Sequence, residues 1–227
     1  MIYVFDVDGT LTPAREKIDP GFKSQFMEFF KSREYALVSG SDYNKLLEQV
    51  GDDILNNAQY VFACAGNSVW QNGIEIYKSD WVPSSLLIDK LNSILDTSEY
   101  VSKFGNHIEN RPGMVNFSVV GRNSDLTQRK EYYHWDKLHN ERQTIRDTIL
   151  EQFPELDCEI GGEISIDIYP KGNNKSQVLN YIKDTIYFFG DGIFPGKNDW
   201  KLAEALRYPS ISFPVSNWND TLSKLKS

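Results

Sequence analysis

Four short runs of apolar residues constrain this chain most: Ile2-Tyr3-Val4-Phe5, Tyr35-Ala36-Leu37-Val38, Tyr60-Val61-Phe62-Ala63 and Ile186-Tyr187-Phe188-Phe189. A strand with no charged position has to be covered on both faces, and a parallel sheet with helices packed on either side does this. Amphipathic stretches at helical spacing lie between the runs. Pro20 opens one that carries Phe22, Phe26, Phe29 and Phe30; Leu46, Leu47 and Val50 mark another. Gln71-Asn72-Gly73 predicts a hairpin turn, and Ile211-Ser212-Phe213 a last strand.

The middle of the chain follows a different period. Val115–Val119 and Ile164–Ile168 alternate apolar with polar residues, which predicts antiparallel strands with one face on a core and the other open. Between them, residues 125–153 form a charged amphipathic helical region with Ile145, Ile149 and Phe153 on one side. The expected organisation is an α/β core made of residues 1–81 and 172–227. An α+β segment, residues 82–171, interrupts it in the manner of a cap over an active site.

The core runs end in Asp6, Ser39 and Gly190-Asp191. In an open α/β sheet, ligands bind beyond the carboxyl ends of the strands, so these residues converge on one crevice. Asp6-Val7-Asp8-Gly9-Thr10 is the chemically richest stretch. Two carboxylates two residues apart at a strand end can share one cation, while Thr10 and the backbone amides after it can hold phosphate oxygens. A carboxylate attacks a phosphate dianion poorly because both are negative; a magnesium ion between them removes that repulsion. The product would be an aspartyl-phosphate on Asp6, with Asp8 moving the proton of the leaving and entering alcohols.

Other chemistries find little support. There are 24 Lys and Arg against 32 Asp and Glu, a net charge of −8, which argues against a nucleic-acid or membrane-surface partner. No apolar run approaches the ~18 residues of a membrane span, and Met1 leads straight into a strand-like run, so the expected address is cytoplasmic. Cys64 and Cys158 lack metal-ligand spacing, as do His107, His134 and His139; the cysteines read as reduced, packed thiols.

With these residues in place, the chain resembles the haloacid dehalogenase (HAD) type of phosphotransferase. Within it, FDVDGTLTPAR (5–15), SGSD (39–42), RPGMVNFSVVGR (111–122), GGEISIDIYPKG (161–172) and FFGDGIFPGKND (188–199) are similar to the eukaryotic phosphomannomutase family. The resemblance implies a Rossmann-like HAD core with an inserted cap, and a homodimer formed through the cap. It implies interconversion of mannose 6-phosphate and mannose 1-phosphate, with Mg2+ and a hexose 1,6-bisphosphate activator. Asp6 then corresponds to the nucleophile and Asp8 to the acid/base. Ser39 and Lys175 become the phosphate ligands, with Ser41 a competing hydroxyl. The metal would sit between the Asp6 side chain, the Asp8 carbonyl and Asp191.

Arg15, Arg111, Arg122, Arg129, Ser165 and Asp167 fall on the family's sugar-phosphate contacts. Guanidinium forks suit a second phosphate held at the far end of a sugar. The chain departs from the family at Gly192-Ile193 and Lys197, around Cys64–Asn67 and Lys171–Lys175, and at Ala203, Ala205 and Tyr208, where ligands of a supplementary cation would stand. A magnesium-dependent sugar-phosphate phosphatase on the same scaffold is the alternative reading.

Overall fold

The computed structural model describes residues 1–226. Its strands are β1 (Ile2–Phe5), β2 (Tyr35–Val38), β3 (Tyr60–Ala63), β4 (Ser68–Gln71), β5 (Ile74–Lys78), β6 (Ile108–Arg111), β7 (Met114–Phe117), β8 (Leu156–Gly161), β9 (Ser165–Pro170), β10 (Ile186–Gly190) and β11 (Ile211–Pro214). Its α-helices are α1 (Pro20–Phe29), α2 (Tyr43–Val50), α3 (Asp52–Asn57), α4 (Ser85–Thr97), α5 (Leu126–His139), α6 (Glu141–Gln152), α7 (Val178–Tyr181), α8 (Trp200–Ala205) and α9 (Trp218–Lys226). The chain folds as two compact units: residues 1–79 with 173–227, and residues 80–172.

The first unit is built on a seven-stranded sheet in the order β11-β10-β1-β2-β3-β4-β5. The first five strands are parallel, and the β4–β5 hairpin adds two antiparallel strands at one edge. Alternate residues of each strand enter opposite cores. Phe5, Leu37, Val61 and Phe189 pack with Phe22, Phe26, Leu46 and Val50 on one face. Ile2, Val4, Ala36, Val38, Phe62 and Phe188 pack with Val178 and Leu202 on the other. Two covered faces account for the unbroken apolar runs.

Local chemistry sets the helix starts. The Asp19 side chain accepts from Phe22 N at 2.8 Å with Pro20 at the first helical position of α1, and Asp42 accepts from Lys45 N at 2.8 Å ahead of α2. One residue of α2 departs from expectation. Leu47 is exposed, and Gln49 is buried with Leu46 and Val50. Gln49, three residues after Leu46, lies on that residue's face and donates from there to Asp8.

The second unit holds an antiparallel sheet in the order β6-β7-β9-β8. Val115, Phe117, Cys158, Ile166 and Ile168 point to one face and pack on Leu87, Leu91, Tyr132, Ile145 and Ile149 of α4, α5 and α6. The other face carries a polar row: Glu109 lies opposite Asn116, Asn116 opposite Asp167, and Asp167 opposite Glu159. The alternation predicts that this face is open to water, whereas Asn116 is 2% and Asp167 7% exposed. Pairing between strands supports this burial: Asn116 Nδ2 donates to Asp167 Oδ1 at 2.6 Å. Strands β6 and β8 and helices α3, α4 and α9 have no counterpart in the sequence reading.

Cys64 and Cys158 are both buried free thiols. His134 and His139 lie on α5, and His107 Nδ1 lies 2.9 Å from the Ser118 carbonyl. Among the described residues no helix is long and apolar enough to cross a membrane.

Candidate active site

The parallel strands bring Asp6, Ser39 and Asp191 to one end of the first sheet. Asp6 N still donates to Phe189 O and Ser39 N to Phe62 O, so both residues stand on the last rung of the ladder. The chain then turns sharply at Gly9, which has φ +82°. A Cβ at this position would run into the Asp191 carboxylate, so glycine is needed for space as well as for backbone freedom. Thr12 and Asp8 bridge the turn, and Thr221 of α9 donates to Thr10 O at 2.7 Å from behind.

Asp6 is held from two sides. Lys175 Nζ lies 2.6 Å from Oδ1, and the Thr10 hydroxyl donates to Oδ2 at 3.2 Å. Lys175 also donates to Asp199 Oδ1 at 2.6 Å, while Gly192 N donates to Asp199 Oδ2 at 3.0 Å. Asp191 joins this group: oxygens of Asp6, Asp191 and Asp199 lie within 4.8 Å of one another.

Three carboxylates around one ammonium leave negative charge in excess. Burial pushes the Asp6 carboxyl well above its ordinary value; Lys175 opposes that and the Asp199 and Asp191 charges add to it. Burial and then Asp199 push Asp191 up to about 6. Burial by itself would lower the Lys175 ammonium, but Asp199 and Asp6 outweigh it and keep it charged. Clustered hard oxygen donors with unbalanced negative charge fit a small divalent cation.

The Asp8 side chain takes a separate set of donors. Its Oδ1 accepts from Arg15 N at 2.5 Å and Gln49 Nε2 at 2.8 Å, and Ser41 Oγ lies 3.5 Å from Oδ2. The two candidate serines therefore differ. Ser39 is buried and its Oγ accepts from Ser41 N at 3.0 Å, while the Ser41 hydroxyl faces Asp8. Arg15 meets this site through its backbone amide, at a left-handed residue with φ +63°.

The remaining candidates form a second cluster, on the polar face of the second unit's sheet. Glu109 sits between two arginines: Arg111 Nε donates to Oε1 at 3.0 Å and Arg122 Nε to Oε2 at 2.9 Å. Arg122 also donates to Ser165 Oγ at 2.9 Å. Arg129 is buried and directs Nε to Ser124 O and one Nη to Arg122 O, both at 2.9 Å, which fixes the loop that carries Arg122. The structure thus gathers Asp6, Asp8, Ser39, Lys175, Asp191 and the Arg15 backbone in one unit, and Arg111, Arg122, Arg129, Ser165 and Asp167 in the other.

Sequence reasoning passed over Asp199 as the partner of Lys175, Gln49 as a partner of Asp8, and Glu109. Glu109 lies two residues before Arg111 and shares that arginine's face once β6 is known to be a strand, which the sequence does not show. Gln49 carried no signal, since Asp8 lies 41 residues away. Asp199 closes the stretch 188–199 and stood as a candidate helper of the metal, but its pairing with Lys175, 24 residues away, left no local trace.

Residues 22–227 match the family model described as eukaryotic phosphomannomutase. The chain belongs to the eukaryotic phosphomannomutase family. It is 35% identical to a phosphomannomutase of Dendrobium officinale, covering 100% of this chain and 93% of that protein. Identity to a phosphomannomutase of Schizosaccharomyces pombe is 34%, over 99% of this chain and 93% of the relative. The HAD-like fold recurs in a solved trehalose-6-phosphate phosphatase related protein, with a TM-score of 0.59 at 20% identity over 100% and 96% of the two chains. It recurs again in a haloacid dehalogenase-like hydrolase from Bacteroides thetaiotaomicron, with a TM-score of 0.58 at 12% identity over 99% and 98%. Within the phosphomannomutase family, the charged clusters described above are what remain to be given roles.

Proposed function

We propose that this chain interconverts mannose 6-phosphate and mannose 1-phosphate through a phosphorylated Asp6, primed by a hexose 1,6-bisphosphate. The observation that carries this reading is the Asp6 carboxylate held by Lys175 and Thr10 at a strand end, beside Asp191, in a chain of this family. A carboxylate oxygen of Asp6 attacks the phosphorus of the bound sugar phosphate. The bond from phosphorus to the sugar oxygen breaks, and Asp8, in its acid form, gives that oxygen a proton. The phosphoryl group then passes from Asp6 to the other hydroxyl of a hexose monophosphate, whose proton returns to Asp8.

Asp6, Asp191 and the main-chain carbonyl of Asp8 are the proposed holders of Mg2+. When bound, it screens the carboxylate from the phosphate dianion and orients the attack. Lys175 and Ser39 hold the transferring phosphoryl oxygens. Asp199 keeps Lys175 in place, and its 2.6 Å bond to that ammonium supports a positioning role over a metal-ligating one.

The second unit serves as a cap. Arg111 and Arg122, presented as a pair by Glu109, and Arg129 take the second phosphate; Arg15, of the first unit, is proposed as a further sugar-phosphate contact. Ser165 and Asp167 read sugar hydroxyls. A homodimer through the cap, supported by the family resemblance alone, and a cytoplasmic address complete the proposal.

A phosphorus NMR time course with mannose 1-phosphate, Mg2+ and a trace of glucose 1,6-bisphosphate tests it. The expected result is a mannose 6-phosphate signal that depends on the bisphosphate, with little free phosphate. Free phosphate rising as fast as substrate falls would assign a phosphatase instead.

A further inference from the structure

The turn Cys64–Gly66 that follows β3 is left-handed at three residues in succession, with φ of 51° at Cys64, 57° at Ala65 and 91° at Gly66. Two of the three carry a Cβ, so the surroundings must impose the conformation. Hydrogen bonds do so from both sides. Towards the site, Cys64 N donates to Ser41 O at 2.9 Å and Ala65 N to Ser39 O at 2.8 Å. From the other side, Gln177 Nε2 donates to Ala65 O at 3.0 Å, and Asn67 Nδ2 donates to Cys64 O at 2.8 Å.

Asn67 is fully buried, and its other bonds reach both places where the chain passes between the two units. Its main-chain oxygen accepts from Ser79 N at 2.8 Å, at the end of the first segment of unit one. Its Nδ2 donates to Asn173 O at 3.0 Å, and its Oδ1 accepts from Asn173 Nδ2 at 3.1 Å, where the chain returns. Asn173 stands two residues before Lys175, which holds Asp6. One residue thus ties the outgoing linker, the returning linker and the strained turn bonded to Ser39 and Ser41.

We propose that Asn67 is a positioning residue that couples movement of the linkers, and so of the cap, to the Ser39–Ser41 loop and to Lys175. The proposal rests on the reading above that the second unit is a cap over a phosphoryl-transfer site. A swing about the linkers displaces Ser79 and Asn173, and through Asn67 neither can shift independently of the turn. The task needs a carboxamide, which donates twice and accepts once here. Leucine offers neither function, and aspartate would set a charge against two carbonyl oxygens.

The test compares the intact chain with Asn67→Leu and Asn173→Ala by hydrogen–deuterium exchange and by kinetics. Asn173 is only half-buried, so the second variant removes one side-chain bond and keeps the fold. With Mg2+ and beryllium fluoride as the probe, the unsubstituted chain is expected to gain protection at residues 39–41 and at both linkers together. In the variants residues 39–41 gain it and the returning linker does not, while the outgoing linker, bonded to the Asn67 main chain, still responds. Bisphosphate-dependent turnover of mannose 1-phosphate is expected to fall about three- to tenfold in Asn173→Ala, the scale of one hydrogen bond, with hydrolysis of a small aryl phosphate unchanged. A returning linker that responds equally in all three proteins, or that never responds, overturns the coupling. So do equal losses on both substrates, which indicate a merely structural role. If the unsubstituted chain leaves mannose 1-phosphate untouched, the proposed reaction fails, while the exchange comparison still decides the coupling.

Discussion

Lys175 Nζ lies 2.6 Å from Asp6 Oδ1, and both side chains are almost wholly shut off from water. The same ammonium lies 2.6 Å from Asp199 Oδ1. Removing one partner of a buried ion pair costs far more than the pair contributes, because the other charge is left without compensation. Lys175→Met leaves two buried carboxylates facing each other. The expected loss is about 3–5 kcal/mol of folding stability, read by urea denaturation, together with loss of turnover. A variant of normal stability would show that Asp6 and Asp199 do not depend on this lysine.

Asp6→Asn acts in the opposite direction on stability. It removes one negative charge from a group with too many and keeps the shape of the side chain. The melting temperature measured without added metal is expected to equal or exceed that of the unsubstituted chain, while turnover disappears. Substantial residual turnover with purified variant would remove Asp6 from the role of nucleophile.

Arg122 donates to Glu109 and to Ser165 on the polar face of the second unit's sheet. Arg122→Ala is therefore expected to raise the KM for mannose 1-phosphate about ten- to a hundredfold, the scale of a charged hydrogen bond. Hydrolysis of a small aryl phosphate, which has no distal phosphate, should change little. Equal losses on both substrates would count against a distal phosphate site on this face.

Glu109 supplies a pH-dependent signature. Burial tends to raise its carboxyl, but Arg111 and Arg122 outweigh that and hold it below the ordinary value. A carboxylate lowered on folding contributes stability that is present above its unfolded value of about 4.3 and lost as pH falls through the folded value. Glu109→Gln keeps the shape without the charge. Its stability deficit, measured by urea denaturation from pH 3 to pH 7, should be constant above about pH 5 and shrink below about pH 4. A deficit that does not vary with pH would mean that the two arginines gain nothing from the charge of Glu109.

The parallel sheet was legible in the sequence because coverage on both faces excludes polar residues from contiguous runs, and contiguous runs can be read without a partner. The Asp6-to-Thr12 stretch was legible for the same reason, its chemistry lying within seven consecutive residues. Strands β6 and β8 were not, since the pairing that makes them strands is supplied by β7 and β9. The open face expected of β7 and β9 was also decided elsewhere: alternation reveals which side chains share a face, but not whether that face is charge-paired and buried.

Which charges compete for which partners emerges only once the chain is folded. Lys175 and Asp6 are 169 residues apart, and nothing local to either shows that Asp199 would share the ammonium. Gln49 reaches Asp8 across 41 residues from the buried face of α2 that it shares with Leu46 and Val50. Asn67 joins two linkers only because β3, the outgoing chain and the returning chain meet at one point. The physical reason is common to all three. Apolar burial is non-directional and leaves its trace in periodicity, whereas a hydrogen bond or ion pair depends on two atoms that the fold must bring within about 3 Å.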